Sequence, residues 1–330
     1  MSKVSLKTVG LAAILSAAIT VPAMAETSWD LPLAWPDGNF HVENAKKFAA
    51  EVKKATGGEV VINIHPGGSL GFKGPEMLTS VRDGLIPIGD VLLNQQVGEA
   101  PLLGLEATPY IANGYEDLRA FHKHWRPEVE KTVAKFNQKI LYMVPWPRQY
   151  VYTKVEVGDI GGLKGIKIRT YNKTTTGMFN RIGMTAVQLP WGEVVPSLAA
   201  GTIDAVTTSA SSGVDGKFWE FLKYMYPTNH VWSSNVVSVN LDAWKALSAE
   251  HRTAIEATAK KMEPGFWEVS ANEDAAKVKV LNANGVKNGV VTPAMIEAMQ
   301  ELTAPMLGEA VKSIGGPAGA IIEAYKKDRM

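Results

Sequence analysis

There is no cysteine in this 330-residue chain. That absence excludes disulfides, thiol catalysis, cysteine-ligated zinc and iron–sulfur clusters together, and with them a lipid-modified N-terminal cysteine. An excess of one charge is also lacking. The 34 Lys and Arg residues face 33 Asp and Glu, a formal charge of +1, so there is no basic field of the kind that holds nucleic acid. No internal repeat or low-complexity segment occurs. No stretch after residue 25 approaches the roughly 20 apolar residues that cross a bilayer. The 6 histidines are scattered. His122 and His124 stand two apart on an expected helix and so face different sides, and no H-E-x-x-H is present, so no metal site is expected. Gly67-Gly68-Ser69-Leu70-Gly71 matches G-x-S-x-G as a string. A nucleophile elbow needs a helix to begin at once, whereas Phe72 to Gly74 intervene. No Lys-Ser/Thr pair follows, so the loop is not a phosphate-binding loop either. No catalytic residue or cofactor is expected, and the chain reads as a non-enzyme.

What is present is ordinary for a globular chain: 46% hydrophobic and 20% charged residues, with a length that fits roughly two domains. Lys3 and Lys7, the small apolar run Val9 to Val21 and the Ala23-Met24-Ala25 tripeptide have the order of a secretory signal peptide. Cleavage is expected after Ala25 and the location expected is the periplasm. Thereafter strands and helices alternate. Glu43 to Thr56 carries apolar residues at helical spacing, Val60 to His65 reads as a strand, and a glycine loop follows. Tyr115 to Phe136 is an amphipathic helix. Short strands are expected at Ile86 to Leu93, Ile140 to Val144, Tyr150 to Val155, Ile166 to Arg169, Ala186 to Leu189, Ala205 to Thr208, His230 to Asn240 and Val286 to Val291. The alternation predicts α/β architecture with largely parallel sheets. Ala249 to Asn284 is a long helix with a kink or break expected at Glu263-Pro264-Gly265. Pro293 to Ile314 and Ala318 to Lys327 are further helices.

The residues that stand out suit binding. Trp35, Trp146, Trp191 and Trp232 fall at element edges beside prolines or polar residues, where sites are carried. Arg148 and Arg169 sit in strand contexts. Arg169 adjoins the hydroxyl-rich run Thr170 to Thr176, a good setting for an anion ligand. Thr207-Thr208-Ser209-Ala210-Ser211-Ser212 is a second hydroxyl-rich run after a short strand, suited to donors that converge on a small polar ligand. Lys73, just past the glycine loop, and Gln95 or Gln96, after the buried strand, are placed on the first-domain side. Asn235 completes the expected set.

The order of these motifs resembles the periplasmic substrate-binding proteins of TRAP (tripartite ATP-independent periplasmic) transporters, the DctP-like group. The resemblance runs over the whole chain after the signal peptide. It is carried by Phe40-His41, the ATGG and VVINIHPGGSLG stretch, Gly74-Pro75-Glu76-Met77-Leu78, Gly162-Leu163-Lys164-Gly165-Ile166-Lys167-Ile168-Arg169, Leu189-Pro190-Trp191-Gly192-Glu193-Val194, Ala200-Gly201-Thr202-Ile203-Asp204 and Asn229-His230-Val231-Trp232. It implies a two-domain periplasmic binding protein that closes on its ligand like a hinged clamp. The expected boundaries are 26–145 and 235–273 in domain I, and 146–234 and 274–330 in domain II. It also implies roles: Arg169 as the clamp on a ligand carboxylate, Arg148 as a second pocket arginine, Trp191 as the aromatic residue packed on the ligand, and Glu193 as an acidic neighbour. Thr208 stands where many members have asparagine, and Thr170-Tyr171 where R-x-P is common. Those departures leave three ligand types open: an aromatic or bulky monocarboxylate, a small hydroxy- or keto-acid, and a zwitterion boxed by aromatics. The expected partners are an organic anion and the two TRAP membrane subunits, with a monomeric receptor and no cofactor. A secreted enzyme on a related fold and a receptor serving a sensor kinase are the alternative readings.

Overall fold

The computed structural model describes residues 26–329; the expected signal peptide and its cleavage site lie outside them. Among the described residues there are eleven strands: β1 (Thr27–Pro32), β2 (Val60–His65), β3 (Ile88–Leu92), β4 (Gln138–Pro145), β5 (Gln149–Thr153), β6 (Lys167–Thr170), β7 (Thr185–Gln188), β8 (Ala205–Ser209), β9 (Tyr224–Tyr226), β10 (Ser234–Asn240) and β11 (Lys287–Asn288). They form a β1-β2 pair, a β3-β10-β4 sheet and a six-stranded β11-β9-β5-β8-β6-β7 sheet. β1 lies beside β3, so the first two groups build one lobe and the third builds the other. The α/β two-lobed architecture is that of the expected class.

The sheets are mixed, which corrects the expectation of largely parallel pairing. β5 runs antiparallel to β8 and β9, and β10 runs antiparallel to β3 and β4. The parallel pairs are β1-β2, β6-β7, β6-β8 and β9-β11. The physical reason is the route of the chain. β5 and β10 are entered from the opposite lobe over a short crossing, so they lack the helical crossover that parallel neighbours require.

Two other expectations change. The helix Ala249–Ala283 runs through Pro264 without a break. Proline removes one N–H and frees the carbonyl four residues back; Pro264 and Gly265 are exposed, on a side where water can satisfy it. Phe266 and Trp267 next to them are buried and hold the helix on its course. Further on, Pro293 to Ile314 divides into Pro293–Thr303 and Pro305–Ile314, because Pro305 begins a new helix where its missing N–H costs nothing. The last helix, Ala318–Asp328, packs on Tyr115–Ala134 of the first lobe, with Ile321, Ile322 and Tyr325 buried and the Tyr325 hydroxyl donating to Ile111 O at 2.8 Å. Residues 274–330 therefore do not all lie with the second lobe. Among the described residues no helix is long and apolar enough to cross a membrane.

Candidate functional site

The carboxyl ends of the parallel strands converge between the lobes, where ligands of open α/β sheets bind. β6 ends at Thr170. Tyr171 and Asn172 follow, and the Asn172 side chain caps the helix Lys173–Ile182 by accepting from Thr175 N at 2.8 Å. β8 ends at Ser209, whose hydroxyl accepts from Ser212 N at 3.2 Å and caps the helix Ala210–Asp215. Both strand-to-helix switches aim their last side chains into one cavity. From the first lobe come Trp35 after β1, Leu92 and Gln95 at the end of β3, Trp146 after β4 and Ser233 before β10. The second lobe adds Gln149, Arg169, Tyr171, Trp191, Thr208 and Ser212. About 340 Å³ of space lies between these side chains, part of it open to solvent.

Arg169 dominates the electrostatics. It is only 3% exposed. Its Nε donates to Leu189 O at 3.0 Å, which fixes the guanidinium plane. The group lies 5.6 Å from the centre of the Tyr171 ring. Among the described residues it forms no ion pair. A buried charge without a partner is expensive, and burial accordingly pulls the guanidinium down to about 10, with Tyr171 acting the other way. It remains a cation at neutral pH. Tyr171 is pushed up to about 12 by burial, against the pull of its bond to Ser233 and of Arg169, so its hydroxyl stays protonated and can donate.

Aromatic rings make the walls. Trp35 and Trp146 meet edge to face with centroids 4.7 Å apart, and Trp191 lies 6.4 Å from Trp35 across the cleft. Trp191 also borders an outer space of about 650 Å³, lined by the glycine loop and by Lys73 and Glu193. Gly67, Gly68 and Gly71 of that loop have positive φ, which L side chains rarely adopt. Lys73 and Glu193, from opposite lobes, pair there at 3.3 Å, both largely exposed. Asn39 Nδ2 donates to Asp215 Oδ2 at 2.6 Å, a second contact across the cleft.

Of the residues singled out from the sequence, Trp35, Gln95, Trp146, Arg169, Trp191 and Thr208 border the inner cavity, and Lys73 and Glu193 the outer space. Phe40 stands behind the wall, edge-on to Trp146 at 5.2 Å. Asn235 lies behind it as well, accepting the Trp146 indole N–H at 2.7 Å. Ser209 is spent on its helix cap. Arg148 is half exposed and turned toward Asp274 at 3.9 Å. Trp232 is in the first-lobe core, donating to Ala112 O at 2.9 Å. Sequence reasoning passed over Leu92, Gln149, Tyr171, Ser212 and Ser233. Tyr171 and Ser212 lay inside hydroxyl runs already marked, at the strand-to-helix switches. Gln149 and Ser233 carry no local signal.

The sequence signature of the bacterial extracellular solute-binding proteins, family 7 (DctP), matches residues 33–313. Among solved structures, a TRAP solute-binding protein specific for pyroglutamate, from an unidentified marine microbe, is 36% identical. It matches with a TM-score of 0.88 over 92% of this chain and 99% of that one. DctP7, an extracytoplasmic solute receptor of Bordetella pertussis that binds pyroglutamic acid, is 30% identical with a TM-score of 0.88, over 91% and 99% of the two chains. The C4-dicarboxylate-binding periplasmic protein DctP of Rhodobacter capsulatus is 25% identical over 331 residues, 95% of either chain.

Proposed function

The chain belongs to the bacterial extracellular solute-binding proteins of family 7, TRAP-type receptors of small organic acids, and from that premise we propose that its ligand is a compact cyclic monocarboxylate of the pyroglutamate kind. The observation that carries this reading is Arg169, a buried guanidinium with no acid of its own, facing a small cavity walled by indoles. A guanidinium matches a carboxylate through two parallel charge-assisted bonds. One arginine in the cavity suits one carboxylate, and Arg148 outside it leaves a second without a fork. A lactam ring offers flat faces to Trp35, Trp146 and Trp191, and its N–H and C=O suit the amides and hydroxyls of Gln95, Gln149, Thr208 and Ser212. Both pyroglutamate receptors named above are at least 30% identical to this chain, which supports the same choice.

The receptor binds its guest without transforming it and hands it, in the closed form, to the small and large TRAP membrane subunits. It acts as a monomer in the periplasm, after removal of residues 1–25. We place the hinge at the crossings near residues 146 and 234 and in the long helix near 273, where the chain passes between the sheets. Arg169 takes the carboxylate, the three tryptophans take the ring, and Lys73 with Glu193 close the mouth.

Mass spectrometry of the small molecules released from natively purified receptor tests the reading, with calorimetry on stripped protein. Pyroglutamate is expected in the released fraction and should bind at one site with no turnover. A neutral released ligand, or one bound as tightly after Arg169→Met, overturns it.

A further inference from the structure

Two walls of the cavity hang from a group that the proposed function does not use. Asp90, on β3, is 5% exposed, and among the described residues no cation pairs with it. Its Oδ1 accepts the Trp35 indole N–H at 2.9 Å and the Asn235 amide at 2.5 Å. The Oδ1 of Asn235 in turn accepts the Trp146 indole N–H at 2.7 Å. Four segments are thereby tied together: the chain after β1, β3, β10 and the chain after β4.

Burial pushes the Asp90 carboxyl up to about 7, while its two donors act in the opposite direction. An apolar residue would sit at this strand position without that penalty. What the carboxyl adds is direction. Indole donates through a single N–H and accepts nowhere, so a fixed acceptor selects one ring orientation. Edge-to-face packing alone tolerates several. Asn235 repeats the device, accepting from Trp146 while donating to Asp90. Asn235 is 1% exposed, so the relay is shielded from bulk water.

We propose that Asp90 is the positioning residue of the binding site, its single oxygen setting the ring plane of Trp35 directly and that of Trp146 through Asn235. The inference rests on reading the cavity as the ligand site, but its decisive measurement needs no ligand. Indole ¹H–¹⁵N spectra of the stripped receptor, with Trp35→Phe and Trp146→Phe for assignment, report both rings. Asp90→Ala should move both signals. Asp90→Asn, which keeps an acceptor oxygen, should return both to near their original places. Asn235→Ala should move the Trp146 signal further than that of Trp35, since Trp146 loses its acceptor while Trp35 feels the change only through the shared Asp90 oxygen and its contact with Trp146. If Asp90→Ala does not fold, Asp90→Ser, which draws the acceptor back by one atom, should still move both signals, and unmoved signals there overturn the proposal equally. Signals unmoved by Asp90→Ala, or a Trp35 signal that moves as far as that of Trp146 in Asn235→Ala, overturn the proposal. With pyroglutamate as probe, Asp90→Ala should weaken binding about tenfold and Asp90→Asn should restore most of it. Wild-type protein that ignores pyroglutamate would count against the ligand class alone, and the indole signals would still decide the role of Asp90.

Discussion

Replacing Arg169 by methionine separates binding from stability. Methionine fills most of the same volume without charge or donors. The guanidinium is pulled from 12.5 down to about 10 by burial, so the folded state disfavours its charge relative to the unfolded chain. That penalty is complete below pH 10 and fades only as pH climbs from 10 through 12.5. At pH 7 it amounts to on the order of 3 kcal/mol. The substitution removes it and also loses the bond to Leu189 O, worth about 1 kcal/mol. The net gain of about 2 kcal/mol should raise the melting temperature of the ligand-free protein by roughly 3 °C. Binding should move the other way. Two charge-assisted bonds at about 1.5–3 kcal/mol each correspond to a loss of roughly a hundredfold or more. Thermal denaturation of stripped protein and calorimetry with pyroglutamate measure the two effects. A variant that binds within threefold of the original, or whose ligand-free form melts several degrees lower, refutes the account of an uncompensated cation kept for an anionic guest.

Gly74→Ala tests the cavity from behind. A Cβ there would stand 2.2 Å from Gln95 Oε1, so Gln95 must swing; affinity should fall several-fold in a binding titration with little change in melting temperature. Lys73→Gln or Glu193→Gln should weaken binding by less than about fivefold, because an exposed pair contributes little, and the difference should shrink in high salt. Asp90→Asn should flatten the pH dependence of stability measured by denaturant unfolding. The folded carboxyl is raised to about 7, so its ionisation is disfavoured on folding. The penalty is absent below about pH 4 and complete above about 7, so the wild type should lose more stability than the variant across that window, where Asp215, raised to about 6, titrates in both.

How much of this was legible beforehand follows from where the information is stored. Strands such as Val60–His65 and Ala205–Ser209 announce themselves by β-branched runs, and Phe40–Ala55 by its helical stripe. β1 is hard to read although Trp29 and Leu31 alternate with exposed Ser28 and Asp30, because six residues beside the expected leader give a weak period. β9 is three residues long, too short for any pattern. At the site, Arg169 and Thr208 were legible as polar residues at strand ends. Arg148 was not distinguishable from Arg169 by composition: both follow or lie in strand-like runs, and only the course of the chain past Pro147 turns one outward. Trp232 looked like Trp146, yet its indole finds Ala112 O inside the first-lobe core, away from the cavity. Asp90 offered nothing to read, since its role exists only through three segments distant in sequence.

The helix Ala249–Ala283 is riveted to both halves of the molecule within two turns. Trp267 and Ser270 donate to Met143 O and Pro145 O just before the chain leaves the first lobe. Asp274 and Glu273 receive Tyr150 and Ser211 just after it has entered the second. In the proposed closure a rod fastened in this way is the axle: the lobes turn by torsion over the short span between the rivets, because sliding or splaying would break them. Angular freedom near the axle becomes linear travel at the lip, where Lys73 and Glu193 meet. The cavity lies close to this axle, since its lining residues Trp146, Gln149 and Ser212 adjoin the riveted Pro145, Tyr150 and Ser211; the long end of the lever falls to the Lys73–Glu193 pair.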